Sequence, residues 1–244
     1  MNASKRIAVW TITLDSAPDR LWPHLVELLD YVERSRAAGF VLEQRRQQHL
    51  AAHVLKRVSL SAEWGIPPKA WTFAVTPNGK PFVTGPAMLY FSLSHCEGMV
   101  ACAVSKDLEI GIDIESVASA SLLESDDQYR QCCAPEERAW LYDLPVSERP
   151  TGALRLWTLK EALVKATGRG LSQPFADIAF RFDPLRVTLR NPGLGSARLW
   201  RFDQRLIGRG YLLALAWRCQ TGSETLVTVH ESCLERLLAQ AQIY

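Results

Sequence analysis

The spacing of apolar residues predicts a chain built from both helices and strands. Residues 7–14 alternate apolar and polar positions, as a half-buried strand does. Residues 43–59 and 152–167 instead repeat apolar positions at helical spacing, and Gly168 follows the second helix as a stop. Short apolar runs bounded by Gly, Pro, Asp or Asn predict further strands at residues 88–93, 99–104, 108–115, 178–182, 186–190, 197–202, 211–218 and 225–230.

The order of these elements predicts two similar halves. Each half places helices first and several strands after them, and residues 99–104 weakly resemble residues 211–217. The 244 residues, 48% of them hydrophobic, are enough for one large core or two smaller ones. We therefore predict an α+β fold of two similar α/β subdomains, at residues 1–106 and 107–244, although no Pro/Gly/Ser-rich linker marks the boundary.

Composition narrows the class of protein. The net charge of +2 is too small for bulk nucleic-acid binding, but it leaves room for a local basic patch that meets an acidic partner or a phosphate. The six cysteines form no CxxC pair, which predicts free thiols in a reducing compartment. The apolar runs are too short to span a bilayer, and the N-terminus lacks a signal-peptide pattern. We expect a soluble cytoplasmic protein with no nucleic-acid or membrane partner.

The predicted helix at residues 43–59 carries a basic face. Arg45, Arg46, His49 and Arg57 lie opposite its apolar positions. Long basic side chains are rarely fully buried unless they are paired. We therefore interpret this face as solvated.

Two carboxylates share one face of the predicted strand at residues 110–115. Because side chains alternate along a strand, Gly111, Asp113 and Glu115 lie on the same side, and the three isoleucines between them face the core. Adjacent carboxylates repel each other unless a cation lies between them, and the glycine leaves room for a ligand or a close backbone. An ordinary half-buried strand explains this hexapeptide equally well.

The predicted helix at residues 152–167 favours the functional interpretation. Glu161 and Lys165 are four residues apart and share a face. On an exposed helix they would form a weak surface pair. The remaining positions from Leu156 to Val164 are mostly apolar and include Trp157, so the helix is predicted to be interior and its polar face to line a cleft.

The chemistry of these groups predicts a hard cation next to a phosphate. Asp113, Glu115 and Glu161 supply oxygen ligands with no His or Cys nearby. Such a set suits Mg²⁺ or Mn²⁺ and does not suit zinc. Lys165 would neutralise a phosphate at the same place.

Two other motifs admit competing interpretations. Adjacent Ser94 and His95 cannot face each other as nucleophile and base, and the G-x-S-x-G turn of a hydrolase is missing from the sequence. Phosphate contacts by the hydroxyl, the imidazole and loop N–H groups fit better. The segment at residues 168–170 is glycine-rich, but it lies at the C-terminal end of a helix, which repels anions.

Ordered segments of this chain resemble the Sfp-type 4′-phosphopantetheinyl transferases. Residues 79–81 resemble the G-K-P segment of that family, and residues 91–95 resemble F-N-x-S-H, with Ser92 in place of Asn. Residues 110–115 match G-[IV]-D-[IV]-E. Residues 157–165 match W-x-x-K-E-[SA]-x-x-K, which is followed by G-x-G-L at 168–171. The four segments in this order and spacing are very specific.

The resemblance implies both an activity and a fold. Such enzymes transfer the phosphopantetheine arm of coenzyme A to a serine hydroxyl of an acyl or peptidyl carrier protein and release 3′,5′-ADP. The family fold is a pseudo-twofold pair of α/β subdomains in one chain, with the active site at their junction, so we expect a monomer. The sequence does not indicate whether the carriers serve fatty-acid, polyketide or nonribosomal peptide synthesis.

The resemblance also implies roles for individual residues. Asp113, Glu115 and Glu161 would bind Mg²⁺ against the pyrophosphate. Lys165 would contact the α-phosphate and protonate the leaving oxygen. The implied contacts to the nucleotide are made by Ser94, His95 at the 3′-phosphate, Lys80 along the nucleotide, and Arg36 or its alternatives Arg34 and His49.

The base that accepts the serine proton has two candidates, Glu161 and Glu136. Glu136 lies at a predicted helix start that begins with Pro135. Relatives often carry a Ser or Thr three residues before this acid, where this chain has Cys133, so the capping box is not intact. Two non-enzymatic alternatives stay open: a regulator that binds coenzyme A without transfer, and a scaffold whose acids are surface decoration.

Overall fold

The computed structural model describes residues 5–14, 17–123, 125–219 and 224–243. The helices are α1 (Trp22–Glu27), α2 (Tyr31–Ala38), α3 (Glu43–Trp64), α4 (Asp126–Cys132), α5 (Pro135–Asp143), α6 (Arg149–Thr167) and α7 (Leu234–Ala241). The strands are β1 (Lys5–Thr13), β2 (Thr72–Val75), β3 (Pro81–Gly85), β4 (Tyr90–Cys96), β5 (Met99–Ser105), β6 (Ile110–Ser116), β7 (Ile178–Arg181), β8 (Arg186–Leu189), β9 (Trp200–Ile207), β10 (Tyr211–Arg218) and β11 (Thr225–Cys233). This mixture confirms the predicted α+β class.

The chain forms two compact units. Unit 1 comprises residues 1–76, 81–108 and 224–244, and unit 2 comprises residues 77–80 and 109–223. The division differs from the predicted one at the C-terminus, because β11 pairs in parallel with β1 along its whole length and so belongs to unit 1. The boundary at residues 106 and 107, the pseudo-twofold relation and the junction site stay predictions.

Unit 1 is a four-stranded sheet covered by helices. The strand order is β11-β1-β5-β4, and β5 is antiparallel to both of its neighbours. Helix α3 packs on this sheet through the apolar positions that its sequence predicts, including Leu50, Val54 and Val58, all of which are fully buried.

The basic face of α3 is only partly solvated: Arg45 and Arg46 lie at the surface as predicted, whereas His49 and Arg57 are buried. Arg57 and Lys56 are buried, and both bind the buried carboxylate of Glu33 in α2, at 2.8 Å from Arg57 Nε and 2.6 Å from Lys56 Nζ. His53 Nδ1 lies 3.1 Å from the same carboxylate. The pairing with Glu33, which helical spacing within α3 cannot reveal, makes burial of these cations tolerable.

This network makes the stability of the protein depend on pH. Burial would raise the pKa of Glu33, but the hydrogen bond from His53 and the charges of Lys56 and Arg57 outweigh burial and lower the pKa far below its ordinary value of 4.5. A lowered acid pKa stabilises the folded state above pH 4.5, and this contribution is lost as the pH falls. Between pH 7 and pH 3, wild type should therefore lose about 2 kcal/mol relative to Glu33→Gln. Urea denaturation of both proteins across this range checks the prediction, and parallel pH profiles would contradict it.

Unit 2 combines a three-stranded sheet, the helix α6 and a hairpin. The sheet order is β6-β10-β9 with antiparallel pairs, and β7 pairs with β8 in the hairpin. Helix α6 packs directly on β6 at Gly111, where a Cβ atom would lie 2.0 Å from the carbonyl oxygen of Ala162. Of the two expectations for this glycine, ligand space or a close backbone, the structure shows the close backbone. The strand face that carries Gly111 and Asp113 is therefore covered by α6.

Two predictions from composition can be compared directly with the structure. The six cysteines are free thiols, as predicted. Among the described residues, no helix has both the length and the hydropathy needed to cross a membrane.

Candidate functional site

Strand β6 and helix α6 bring Asp113 and Lys165 together. Lys165 Nζ donates a hydrogen bond to Asp113 Oδ1 at 2.6 Å. Asp113 is buried with 3% of its surface exposed, because it lies on the strand face that α6 covers, whereas the Lys165 side chain is 29% exposed. Helical spacing predicted Glu161 as the neighbour of Lys165. The structure adds the ion pair between Lys165 and Asp113, which are 52 residues apart in the sequence.

Glu115 and Glu161 complete a cluster of acids around this pair. Burial raises the pKa of Glu115 to about 7, and the charges of Asp113 and Glu161 act in the same direction against the opposing charge of Lys165. Burial also raises the pKa of Glu161, which Lys165 lowers and Asp113 raises. The charges of Asp113 and Glu161 thus destabilise the charged form of Glu115, and the charge of Asp113 destabilises that of Glu161.

This donor set fits a hard divalent cation. A cation between the carboxylates would remove their mutual repulsion, and oxygen ligands are the ones that Mg²⁺ prefers. Within the ranges that the structure describes, no three His, Cys, Asp or Glu side chains are grouped closely enough to hold a metal ion.

Lys80 has a structural role that its motif did not predict. Its Nζ donates to the carbonyl oxygen of Ala166 at 2.6 Å, at the C-terminal end of α6, and lies 3.5 Å from that of Ile110 in β6. A Cβ atom on Gly168 would lie 3.0 Å from Lys80 Cδ. Burial lowers the pKa of Lys80 to about 8, against the charge of Glu109. Lys80 thus ties β6 to the end of α6, and its contact with a nucleotide stays a prediction.

Ser94 and His95, the predicted phosphate contacts, lie in β4 of unit 1. Ser94 is buried and His95 is exposed, as expected for successive residues of a strand. The two predicted strands are confirmed, but β4 extends to Cys96, so Ser94 and His95 pair with β5 and do not lie in the predicted loop; the turn that follows contains Gly98 with a φ of 78°.

The remaining predicted phosphate contacts of unit 1 are Arg36 and its alternatives Arg34 and His49, which are not equally suited to bind a phosphate. Arg36 is exposed in the last turn of α2, and its guanidinium makes neither a hydrogen bond nor a salt bridge among the described residues. Arg34 is also exposed. His49 is buried with its Nε2 3.2 Å from the carbonyl oxygen of Glu33, and burial together with the charge of His53 lowers its pKa to about 4. His49 is therefore neutral at pH 7 and is a poor alternative to Arg36.

Glu136, the second candidate base, forms an ion pair with Arg190 at the surface of unit 2. Burial opposes ionisation of Glu136, but the backbone N–H at the helix start and the Arg190 guanidinium outweigh it and lower the pKa. The next residue, Glu137, is fully buried, and its Oε2 accepts from the N–H of Ala134 at 2.7 Å. The acid that caps α5 is therefore Glu137, and Cys133 lies outside the cap.

A cavity of about 450 Å³ adjoins Glu161 in unit 2. We call it the Glu161 cavity. Aromatic walls come from Trp157 and Phe175, whose rings meet edge-on at 5.2 Å. Side-chain amides of Gln131 and Gln173 add polar groups. Glu161 is the one carboxylate among the described residues that line this cavity.

Lys160 is a buried residue whose structural role beside the cavity was not predicted from the sequence. Its Nζ donates to Glu137 Oε2 at 2.5 Å, and to the carbonyl oxygens of Cys132 at 2.7 Å and Phe175 at 3.0 Å. Cys132 and Phe175 are both walls of the Glu161 cavity. The signal that could have revealed this role was a lysine among the apolar residues of a helix predicted to be interior, where a cation requires a buried partner.

Comparison with known proteins reveals related sequences. Residues 109–216 match the sequence model described as the 4′-phosphopantetheinyl transferase superfamily. A 4′-phosphopantetheinyl transferase of Paxillus involutus is 33% identical over 217 residues, covering 80% of each chain. The 4′-phosphopantetheinyl transferase HetI of a Nostoc species is 32% identical over 173 residues, covering 70% of this chain and 72% of its own. The crystal structure of a Bacillus anthracis holo-(acyl-carrier-protein) synthase in complex with CoA (3′,5′-ADP) aligns with a TM-score of 0.39 and 19% identity, over 46% of this chain and 96% of that one.

Proposed function

The chain belongs to the 4′-phosphopantetheinyl transferase superfamily, and we propose that it acts on carrier proteins. It would transfer the phosphopantetheine arm of coenzyme A to a serine hydroxyl of an acyl or peptidyl carrier protein, with the assistance of Mg²⁺. The observation that carries the proposal is the ion pair between Asp113 and Lys165 with Glu115 and Glu161 around it. Acids that can share a cation, beside an ammonium group, suit a pyrophosphate substrate.

The proposed reaction exchanges one phosphorus–oxygen bond for another. The serine oxygen attacks the phosphorus that carries the pantetheine arm, and the bond from that phosphorus to the bridging oxygen of the pyrophosphate breaks. The bridging oxygen leaves with the electron pair as part of 3′,5′-ADP, and the serine proton passes to a base. Lys165 would contact the α-phosphate and donate a proton to the leaving oxygen.

The cation would be held by Asp113, Glu115 and Glu161. When bound, Mg²⁺ would neutralise the charge that develops on the pyrophosphate oxygens. Lys165 reaches the same place from α6, since its ammonium already binds Asp113.

Two observations support Glu161 as the base. Glu161 lines the cavity that would receive the serine, whereas Glu136 is absent from the described lining of that cavity. Without the cation, burial raises the pKa of Glu161, whereas the backbone N–H and Arg190 lower that of Glu136, so Glu161 is the stronger base of the two before Mg²⁺ binds.

If Glu161 is the base, replacing Glu136 should have only a small effect on the rate of transfer. Glu136→Gln removes a partly exposed ion pair with Arg190, so we expect kcat to fall by less than about fivefold, as for other exposed pairs. Steady-state transfer to a carrier at saturating coenzyme A checks this expectation. Arg190→Gln is the matched control because it breaks the same pair and leaves the carboxylate in place. A loss of about 10² or more in Glu136→Gln alone would identify Glu136 as the base.

The nucleotide contacts are proposed for Ser94, His95, Lys80 and Arg36. His95 offers the sharpest test, because its side chain is exposed in β4. If His95 binds the 3′-phosphate, His95→Ala should weaken coenzyme A binding by about 10- to 100-fold, as expected for a lost charge-assisted hydrogen bond. Titration calorimetry should show unchanged affinity for dephospho-coenzyme A, which lacks this phosphate. Equal losses for both ligands would contradict the assignment.

A mass measurement tests the proposed function itself. Purified protein, coenzyme A, Mg²⁺ and a panel of apo carriers from fatty-acid, polyketide and peptide synthases should yield a carrier that is heavier by about 340 Da. The panel also identifies the carriers that the enzyme serves. Coenzyme A binding without a mass gain on any carrier would favour a regulator that binds coenzyme A without transfer. The absence of both coenzyme A binding and a mass gain would contradict the proposed function.

A further inference from the structure

The β7–β8 hairpin carries two arginines that form no salt bridge among the described residues, although the charge of Arg181 helps to lower the pKa of Glu136. Arg181 and Arg186 are directly opposite each other in the register, so their side chains leave the same face, and both are exposed. Like charges opposite each other destabilise a strand pair. Neither guanidinium forms a salt bridge or a hydrogen bond among the residues that the structure describes. An external anion between them would turn this repulsion into attraction.

A cavity beside the hairpin contains further arginines. Its volume is about 390 Å³, and Arg186, Arg198 and Arg201 line it together with apolar residues such as Trp200. The described lining contains no acidic residue. Arg201 is held in place because its guanidinium donates to the carbonyl oxygens of Arg198 at 2.7 Å and Trp200 at 3.0 Å. Planar guanidinium groups favour carboxylates and phosphates as partners.

Two of the three aspartates of this region, Asp183 and Asp203, already interact with other arginines. Residues 176–219 contain eight arginines, three aspartates and neither Lys nor Glu, a net charge of +5 in a chain whose total is +2. Asp203 binds Arg205, and Glu136 binds Arg190. Asp183 acts on the pKa of Arg155. The positive charge at Arg181, Arg186, Arg198 and Arg201, which we call the arginine surface, is therefore left for a partner.

The open end of the hairpin adjoins the Glu161 cavity. Gln173 and Phe175 line that cavity, and β7 begins three residues after Phe175. Asn191, just after β8, donates to Gln173 Oε1 at 3.0 Å, so both strands are anchored at the cavity rim. Arg181 lies three residues along β7, about 10 Å from this anchor at strand spacing. This distance equals about two turns of a helix, so one helix of a partner can touch both places.

We propose that the arginine surface is the docking site for an acidic face of the carrier protein, and that docking there delivers the carrier serine to the Glu161 cavity. The inference rests on the proposed function and extends it to the choice of partner. Carriers with carboxylates close to the modified serine would be preferred substrates. A nucleic acid fits less well, because the positive charge is one compact patch rather than a track along the surface, and the total charge of the chain is small.

Charge reversal tests the proposal. The substrate is a carrier that gains mass with the wild-type enzyme. For this carrier, the double variant Arg181→Glu/Arg186→Glu should have a KM at least about tenfold higher than that of wild type at low salt. The kcat at saturating carrier and the dissociation constant for coenzyme A should stay unchanged. The difference in KM from wild type should shrink at 0.5 M salt, because exposed charges are screened. Arg20→Glu/Arg236→Glu, which changes two exposed arginines of unit 1 by the same total charge, should leave KM within about twofold.

The outcomes separate this inference from the proposed function. If the wild-type protein modifies no carrier, both are overturned. If it modifies a carrier and the two double variants have the same KM, only the docking site is overturned. A compensating Glu→Lys change near the serine of the carrier should restore the KM of the reversed enzyme. Loss of binding to a DNA duplex with an unchanged carrier KM would assign the surface to nucleic acid and overturn the proposal.

Discussion

Asp113→Asn is expected to lower kcat/KM for phosphopantetheine transfer by about 10³-fold. The substitution keeps the shape of a side chain that is 3% exposed, but it removes one charged ligand of the proposed cation. It also removes the charge that holds Lys165 Nζ at 2.6 Å, so the ammonium loses its alignment. Both groups act on the pyrophosphate, and the loss should therefore exceed that from either contact alone.

Metal binding distinguishes this explanation from simple misfolding. Titration calorimetry with Mg²⁺ and coenzyme A should show at least about tenfold weaker metal binding in Asp113→Asn, with thermal unfolding close to wild type. Asp107→Asn is the matched control, because this aspartate is exposed in unit 1. Unchanged metal affinity together with full activity would overturn the assignment of Asp113 as a metal ligand.

Lys160→Met is expected to destabilise the protein by about 3–5 kcal/mol. Lys160 and Glu137 are both fully buried, and the variant leaves the Glu137 carboxylate with no cation. It also removes hydrogen bonds to the carbonyl oxygens of Cys132 and Phe175, which tie α4 and the segment before β7 to α6. Since both carbonyls belong to walls of the Glu161 cavity, transfer activity should fall even where the variant stays folded.

Two control variants separate pairing from packing. Lys160→Met/Glu137→Leu replaces the whole pair with apolar groups and should recover much of the loss, although the N–H groups of Ala134 and Phe180 lose an acceptor. Arg130→Met breaks an exposed pair with Asp127 and should cost less than about 1 kcal/mol. If Lys160→Met and Arg130→Met lower the free energy of urea unfolding equally, the buried pair contributes no more to stability than the exposed pair does.

Local sequence patterns predicted the elements that carry the candidate site. Strand alternation placed Asp113 and Glu115 on one face of β6, and helical spacing placed Glu161 and Lys165 on one face of α6. The order of the short motifs pointed to the same family as the later comparisons. These features depend on residues fewer than about ten positions apart, whose relative directions are set by the backbone repeat itself.

The features that only the tertiary structure decided all involve distant partners. Gly111 contacts α6, Lys80 binds the end of the same helix, and Lys160 meets Glu137. The burial of Arg57 depends on Glu33, and β11 joins unit 1 because it pairs with β1. A periodic pattern shows which side of an element is apolar, but it does not show which remote group will face a given side chain. Hence the sequence by itself determined the acids, the lysine and their local faces, while the ion pair between Asp113 and Lys165 and the buried ties around it arise only when the chain packs.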